Sequence, residues 1–217
     1  MKKQKVIIVA LDGMKGKEAI NIAKDLEGLV WGFKINDILF ENKNIIKKLK
    51  RYGNVFADAK LYDIPNTVGN SVKRLATAGA DIITVHTSGG NEMLQVAKAN
   101  AGKSKIIGVT VLTSFKDGNK TKIKKLINDA IKAKLDGIVC SGHELGVISK
   151  INNSKKLLKI IPGIRPVWYK KKDDQKRIMT PKEAVGLGAD YLVIGRPITS
   201  SKDVKAAVEK ILLELTS

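Results

Sequence analysis

Three charged residues fall inside one short segment, FADAKLYDIPNT at positions 56–67, which opens like a buried β-strand and then carries Asp58, Lys60 and Asp63. Burying an unpaired ion costs several kcal/mol, so a strand that accepts such charges needs counter-ions beside it. Asp58 and Lys60 are two residues apart, which in a regular strand directs both side chains to one face. A desolvated carboxylate–ammonium pair at a strand end can stabilise developing charge and can move a proton. Asp12 after VIIVAL and Lys34 in GFKIN fall at comparable places. Their alternation of sign would give every buried ion a partner.

A second group of residues suits an anion. IPGIRP at Ile161–Pro166 and VIGRP at Val193–Pro197 both place a glycine shortly before an arginine. Glycine lets backbone N–H groups approach a ligand closely, and arginine offers a bidentate fork. The chain uses arginine only five times, at Arg51, Arg74, Arg165, Arg177 and Arg196, and otherwise relies on lysine. The pattern favours phosphate binding over the plainer alternative of two turn glycines and two surface arginines.

The elements that must position these residues follow from the apolar pattern. Short β-rich runs occur at Val6–Leu11, Val30–Ile35, Val55–Lys60, Ile82–Val85, Ile106–Val111, Gly137–Cys140, Leu158–Ile161 and Tyr191–Ile194. Helical periodicity lies between them, as in the stripe Ile123, Leu126, Ile127, Ala130 and Ile131, and again in Val204, Ala207, Val208, Ile211, Leu212 and Leu215. TPKE at Thr180–Glu183 reads as a helix start, with Thr at the N-cap, Pro at N1 and Glu at N3. Eight such β–α units predict a (β/α)8 TIM barrel occupying residues 1–217 as a single domain. A doubly wound open sheet is the structural alternative, but no GxGxxG follows the first strand.

Barrels of this kind place functional residues at the C-terminal ends of their strands, and commonly bind phosphate after strands seven and eight. Read in order, those ends are Asp12, Lys34, Asp58 with Lys60, His86, Thr113, Cys140, Arg165 and Arg196. An ion-pair network that merely plugs the barrel mouth would look similar. A metal site on Asp58, Asp63 and His86 is a further alternative, disfavoured because two lysines already bring the positive charge. His86 reads as a packed polar residue rather than a catalytic one. The longest non-helical connection, Gly163–Met179, has the length of a lid or binding loop.

Bulk composition narrows the class. The 217 residues are 43% hydrophobic and 28% charged, as in a soluble globular protein. No apolar run is long enough for a membrane span, and Asp12 interrupts the only stretch resembling a signal sequence. The single cysteine, Cys140, excludes an internal disulfide and fits a reducing, cytoplasmic setting. The net charge of +19 raises a nucleic-acid partner. The lysines are spread along the whole chain, and no basic run is interleaved with aromatics, which favours solvated helix faces instead.

With these motifs in place, the sequence resembles the orotidine 5′-monophosphate decarboxylase family over essentially its whole length. The segments that carry the likeness are VALD at Val9–Asp12, FKIN at Phe33–Asn36, DAKLYDIPNT at Asp58–Thr67, VHTSGG at Val85–Gly90, VTVLTS at Val109–Ser114, PGIRP, DQKRIMTP at Asp174–Pro181 and VIGRPIT at Val193–Thr199. The resemblance implies decarboxylation of a pyrimidine nucleotide with neither cofactor nor metal. It implies Lys60 as proton donor to C6 and Asp58 beside the substrate carboxylate. Asp63, with Thr67 alongside, would complete the Lys34–Asp58–Lys60–Asp63 array in the neighbouring subunit of a homodimer. Asp12 and Lys34 would contact the ribose, and Thr113 would lie near the base. Gln175, Gly195 and Arg196 would hold the phosphate, supported by Arg165. Magnesium-dependent relatives such as 3-keto-L-gulonate 6-phosphate decarboxylase share the D-x-K-x-x-D core but carry an acidic residue where this chain has Lys34.

Overall fold

The computed structural model describes residues 5–41, 44–111, 120–170 and 178–216. Among the described residues, eight strands alternate with helices: β1 (Ile7–Ala10), α1 (Gly16–Asp25), β2 (Gly32–Ile35), α2 (Ile45–Leu49), β3 (Asn54–Leu61), α3 (Pro65–Thr77), β4 (Ile82–His86), α4 (Gly90–Ala99), β5 (Lys105–Val109), α5 (Lys120–Lys132), β6 (Gly137–Val139), α6 (Leu145–Ile148), β7 (Leu158–Ile161), α7 (Pro181–Gly186), β8 (Tyr191–Ile194), α8 (Arg196–Thr199) and α9 (Val204–Glu214). The strands are parallel, each bonds to the next, and β8 closes on β1 to complete a (β/α)8 barrel.

Both faces of the strands are buried, which is why they read as nearly continuous apolar runs. Ile8, Phe56, Ile82, Ile107, Ile160, Tyr191 and Val193 fill the barrel interior. Their chain neighbours Ile7, Val9, Val55, Ala57, Ile83, Ile106, Ile161 and Leu192 face outward into the layer shared with the helices. The helices bury the stripes read from the sequence: Ile123, Leu126, Ile127 and Ala130 on α5, and Ala207, Val208 and Ile211 on α9. Thr180 and Glu183 form the expected capping box at the start of α7.

The base of the barrel is closed by the rings of Trp31 and Tyr191, 5.1 Å apart. Gly32 follows Trp31 because a β-carbon there would collide with the Asn54 carbonyl. A recurring polar clamp stands around this end. Asp81, Asp136 and Asp190 immediately precede β4, β6 and β8. The carboxylate of each accepts the backbone N–H of a residue in the preceding strand: Val55 at 2.8 Å, Ile106 at 2.8 Å and Lys159 at 2.7 Å. In return the backbone N–H of each aspartate donates to the carbonyl of that same residue. A lysine completes each clamp: Lys50 at 2.5 Å, Lys98 at 2.6 Å and Lys159 at 3.6 Å.

Towards the C-terminal ends the inward-facing positions turn polar. The alternation that points Ile8 inward continues through Ala10 to Asp12, that of Phe56 to Asp58, and that of Ile82 through Thr84 to His86. One expectation needs refinement. β3 does not keep a regular alternation to its end, because its register against β4 shifts between Ala57 and Leu61. Lys60 sits there with φ +46°, in the left-handed region. No described helix is long and apolar enough to cross a membrane.

Candidate active site

Asp58 is the centre of the charged cluster. Its side chain is buried, and two ammonium groups share its Oδ2 atom: Lys60 Nζ at 2.5 Å and Lys34 Nζ at 3.3 Å. Its Oδ1 atom accepts the Thr84 hydroxyl at 2.9 Å. Lys34 also donates to Asp12 at 2.5 Å, so the chain of charges runs Asp12–Lys34–Asp58–Lys60 across the ends of β1, β2 and β3. Side chains from neighbouring loops brace it. Asn36 Nδ2 donates to the Asp58 carbonyl at 2.6 Å, and the Gly13 N–H donates to the Asp37 carboxylate, fixing the turn that carries Asp12.

The electrostatics follow from this sharing. Burial alone would push the Asp58 carboxyl up, but the ammonium groups of Lys34 and Lys60, with hydrogen bonds from Lys60 and Thr84, hold it below the ordinary carboxylate range. Burial alone would push Lys34 down, but Asp58 and Asp12 outweigh it and hold the ammonium above the ordinary lysine range. Both groups therefore stay ionised at neutral pH. His86, half-buried and edge-on to the Tyr62 ring at 5.8 Å, behaves differently. Burial, then the charge of Lys60, pushes its imidazole below the usual histidine range in spite of Asp58, so it is neutral at physiological pH.

A cavity of about 500 Å³ opens at this end of the barrel, within the range of small-molecule sites. Asp12, Lys34, Asp58 and Lys60 line it together with Gly163, Arg165, Gly195, Arg196 and Thr199. Its apolar lining includes Phe56, Val109, Val139, Val193 and the buried Cys140. Gly163 has φ +74°, a conformation that suits glycine. From it the chain crosses to Arg165, whose backbone N–H bonds the Met179 carbonyl, while the Met179 N–H bonds the Gly163 carbonyl. The two ends of the long connection after β7 are thereby tied together. Arg165 is nearly buried, with its guanidinium on the Ile164 carbonyl and over the Tyr169 ring.

The structure thus gathers seven of the expected residues around one cavity: Asp12, Lys34, Asp58, Lys60, Arg165, Gly195 and Arg196. Asp63 and Thr67 are exposed and do not line it; the Asp63 carboxylate accepts its own neighbour's N–H, that of Ile64, at 2.6 Å. Thr113 and Gln175 lie outside the described residues. Sequence reading passed over Thr84 and Asn36 as contributors. The inward alternation of β4 and β2 was the signal for both, but each looked like an ordinary strand or strand-end residue.

Fold and site together define a (β/α)8 barrel whose functional mouth carries a shared carboxylate–ammonium array. Comparison with known proteins narrows this class. Residues 5–211 match the family described as Orotidine 5′-phosphate decarboxylase / HUMPS. The chain is 41% identical to the orotidine 5′-phosphate decarboxylase of Dichelobacter nodosus, covering 96% of this chain and 98% of that protein. It is also 41% identical to the enzyme of the same name from Aquifex aeolicus, over 95% and 96% of the two chains. Among solved structures, orotidine 5′-phosphate decarboxylase from Lactobacillus acidophilus superimposes with a TM-score of 0.82 at 32% identity, covering 98% of this chain and all of that one. The protein belongs to the orotidine 5′-phosphate decarboxylase / HUMPS family.

Proposed function

We propose that the protein is a single-domain, cytoplasmic carboxy-lyase that converts orotidine 5′-phosphate to uridine 5′-phosphate and CO2, the last step of UMP biosynthesis, without metal or cofactor. The observation that carries this reading is the buried Asp58 carboxylate shared by Lys34 and Lys60 at the cavity mouth. Loss of CO2 breaks the bond at C6 and leaves its electron pair in an sp² orbital with little delocalisation into the ring. The Lys60 ammonium stabilises that pair electrostatically and then donates its proton to C6. Asp58, held ionised, stands beside the substrate carboxylate and disfavours the ground state.

The remaining residues take positioning roles in this proposal. Asp12 and Lys34 hold the ribose, Thr113 lies near the base, and Gln175, Gly195 and Arg196 bind the phosphate with Arg165 in support. Binding energy from that remote phosphate is realised at the reacting centre. Lys34 favours this reaction over that of magnesium-dependent relatives, because an ammonium bonded to Asp12 and Asp58 occupies the place where those proteins carry an acidic residue. No nucleic acid or membrane enters the proposal.

Exposure of Asp63 and Thr67 outside their own cavity supports a homodimer in which each chain lends them to its partner's site. Incubation with orotidine 5′-phosphate, followed by absorbance, tests the reaction: turnover should persist in EDTA, whereas loss in EDTA and rescue by Mg²⁺ would contradict the metal-free mechanism. Mixing inactive Lys60→Ala and Asp63→Ala chains with free subunit exchange tests the sharing. Half the dimers are then mixed and one site of each is intact, so roughly a quarter of wild-type activity should return. No recovery, despite exchange, would place Asp63 in its own chain's site or outside the mechanism.

A further inference from the structure

We propose that Thr84 is a positioning residue for the reaction: its one hydroxyl, buried in β4, bridges the Asp58 carboxylate and the Lys60 backbone and fixes how the two groups face each other. The inference deepens the decarboxylase reading and rests on it. Thr84 Oγ1 accepts the Lys60 N–H at 2.9 Å and donates to Asp58 Oδ1 at 2.9 Å. A backbone N–H can only donate and an ionised carboxylate can only accept, so the single hydroxyl proton has one place to go. The relay therefore has a fixed direction, from Lys60 N–H through Thr84 O–H to Asp58.

Two consequences follow for the reacting groups. Lys60 stands where the β3–β4 register shifts, and the Thr84 side chain receives its backbone N–H at that irregularity. Lys60 is also left-handed, with φ +46°, a conformation that residues bearing a β-carbon hold only when their surroundings impose it. The Thr84 bond is one such imposition, and it aims the Lys60 stem into the cavity. On the other side, tying Oδ1 to Thr84 leaves Oδ2 as the atom that both lysines contact. Without the hydroxyl the carboxylate is free to rotate and divide its oxygens between Lys34 and Lys60. Thr84 is fully buried, so solvent is poorly placed to replace it. Its hydrogen bond also counts, after the two lysines, among the influences that oppose burial and keep Asp58 ionised.

Thr84→Val removes the hydroxyl and keeps the shape and branching; Thr84→Ser keeps the hydroxyl. With orotidine 5′-phosphate as substrate, Thr84→Val should lower kcat by about 100-fold, the scale of losing one preorganised donor, while KM changes by less than about threefold. The acid limb of its kcat profile should move to higher pH, because ionised Asp58 loses a donor. Thr84→Ser should recover to within about fivefold of wild type. Amide exchange at Lys60, read by NMR without substrate, should be slow in wild type and Thr84→Ser and fast in Thr84→Val. Wild-type kcat and pH profile in Thr84→Val, or Thr84→Ser as impaired as Thr84→Val, would overturn the proposal. If Thr84→Val does not fold, Thr84→Ala set against Thr84→Ser gives the same reading. A wild-type protein without turnover would instead overturn the decarboxylase assignment, and the Lys60 amide would still report on the bridge.

Discussion

At the base of the barrel Asp81, Asp136 and Asp190 each hold one backbone N–H of the preceding strand and one lysine. At the mouth Asp58 holds two lysines and a threonine hydroxyl, and those lysines reach no other described carboxylate except Asp12. The difference lies in what each carboxylate is bonded to. A base aspartate ties one strand to the next, so its loss would be felt as strand pairing. Asp58 ties cations together around a cavity, where a ligand can meet them. Exposure points the same way. The Asp58 side chain is 9% exposed, against 29%, 23% and 38% for Asp81, Asp136 and Asp190. Ion pairs at the base are worth little individually, whereas a charge left unpartnered at the mouth costs several kcal/mol. A fold that needed only closure would use the first kind.

The sharpest way to break this contrast is Lys60→Ala. It should lower kcat by about 10⁴-fold or more, combining lost proton transfer with lost charge stabilisation, and leave uridine 5′-phosphate binding largely intact. Retention of more than a few per cent of kcat would show that the mouth array is a plug. Arg196→Ala should cost about 2–4 kcal/mol in kcat/KM, the scale of truncating a charged, hydrogen-bonded partner. Equal wild-type activity on orotidine and its phosphate would contradict the anchoring role.

Asp136→Ala should behave in the opposite sense. The Ile106 N–H and Lys98 lose their acceptor, which should lower stability by about 1–3 kcal/mol while kcat/KM of the folded enzyme stays within about twofold. The smallest effect is in the pH dependence of stability. Asp58 is depressed, so its contribution is complete above the ordinary carboxylate range and is lost as pH falls through its folded value. Lys34 is raised, so its contribution is complete below the ordinary lysine range and is lost as pH rises through its folded value. In chemical denaturation, the stability of wild type relative to Asp58→Asn should rise with pH up to about pH 4 and then level off. A gap independent of pH would mean that Asp58 is not held by the lysines.

The barrel frame and the mouth half of this contrast were legible in the sequence; the base half was not. Short apolar, β-rich runs separated by helical periodicity marked the eight strands to within two residues at their ends. Charges at the ends of the first three runs stood out because buried strands seldom carry them. The base clamps were passed over because an aspartate in AGAD or LGAD looks like a turn residue, although its return before β4, β6 and β8 was there to be read. Thr84 was hidden for a related reason: threonine suits a strand, and only the closed barrel brings its hydroxyl to Asp58. The left-handed Lys60 had no local signal, since nothing in AKLY calls for positive φ. Exposure of Asp63 depends on the tertiary path of the chain after β3, which spacing from Lys60 does not fix.

Charge at the mouth serves the reaction and charge at the base serves the fold, and one paired measurement separates the two. Lys60→Ala and Lys98→Ala each remove one ammonium from a carboxylate, Asp58 at the mouth or Asp136 near the base. Turnover of orotidine 5′-phosphate and the thermal midpoint should be measured for both beside wild type. Lys60→Ala should abolish turnover with little change in Tm, and Lys98→Ala should keep wild-type kcat/KM with no gain in Tm. Turnover surviving in Lys60→Ala, or lost in a folded Lys98→Ala, would contradict this division of roles.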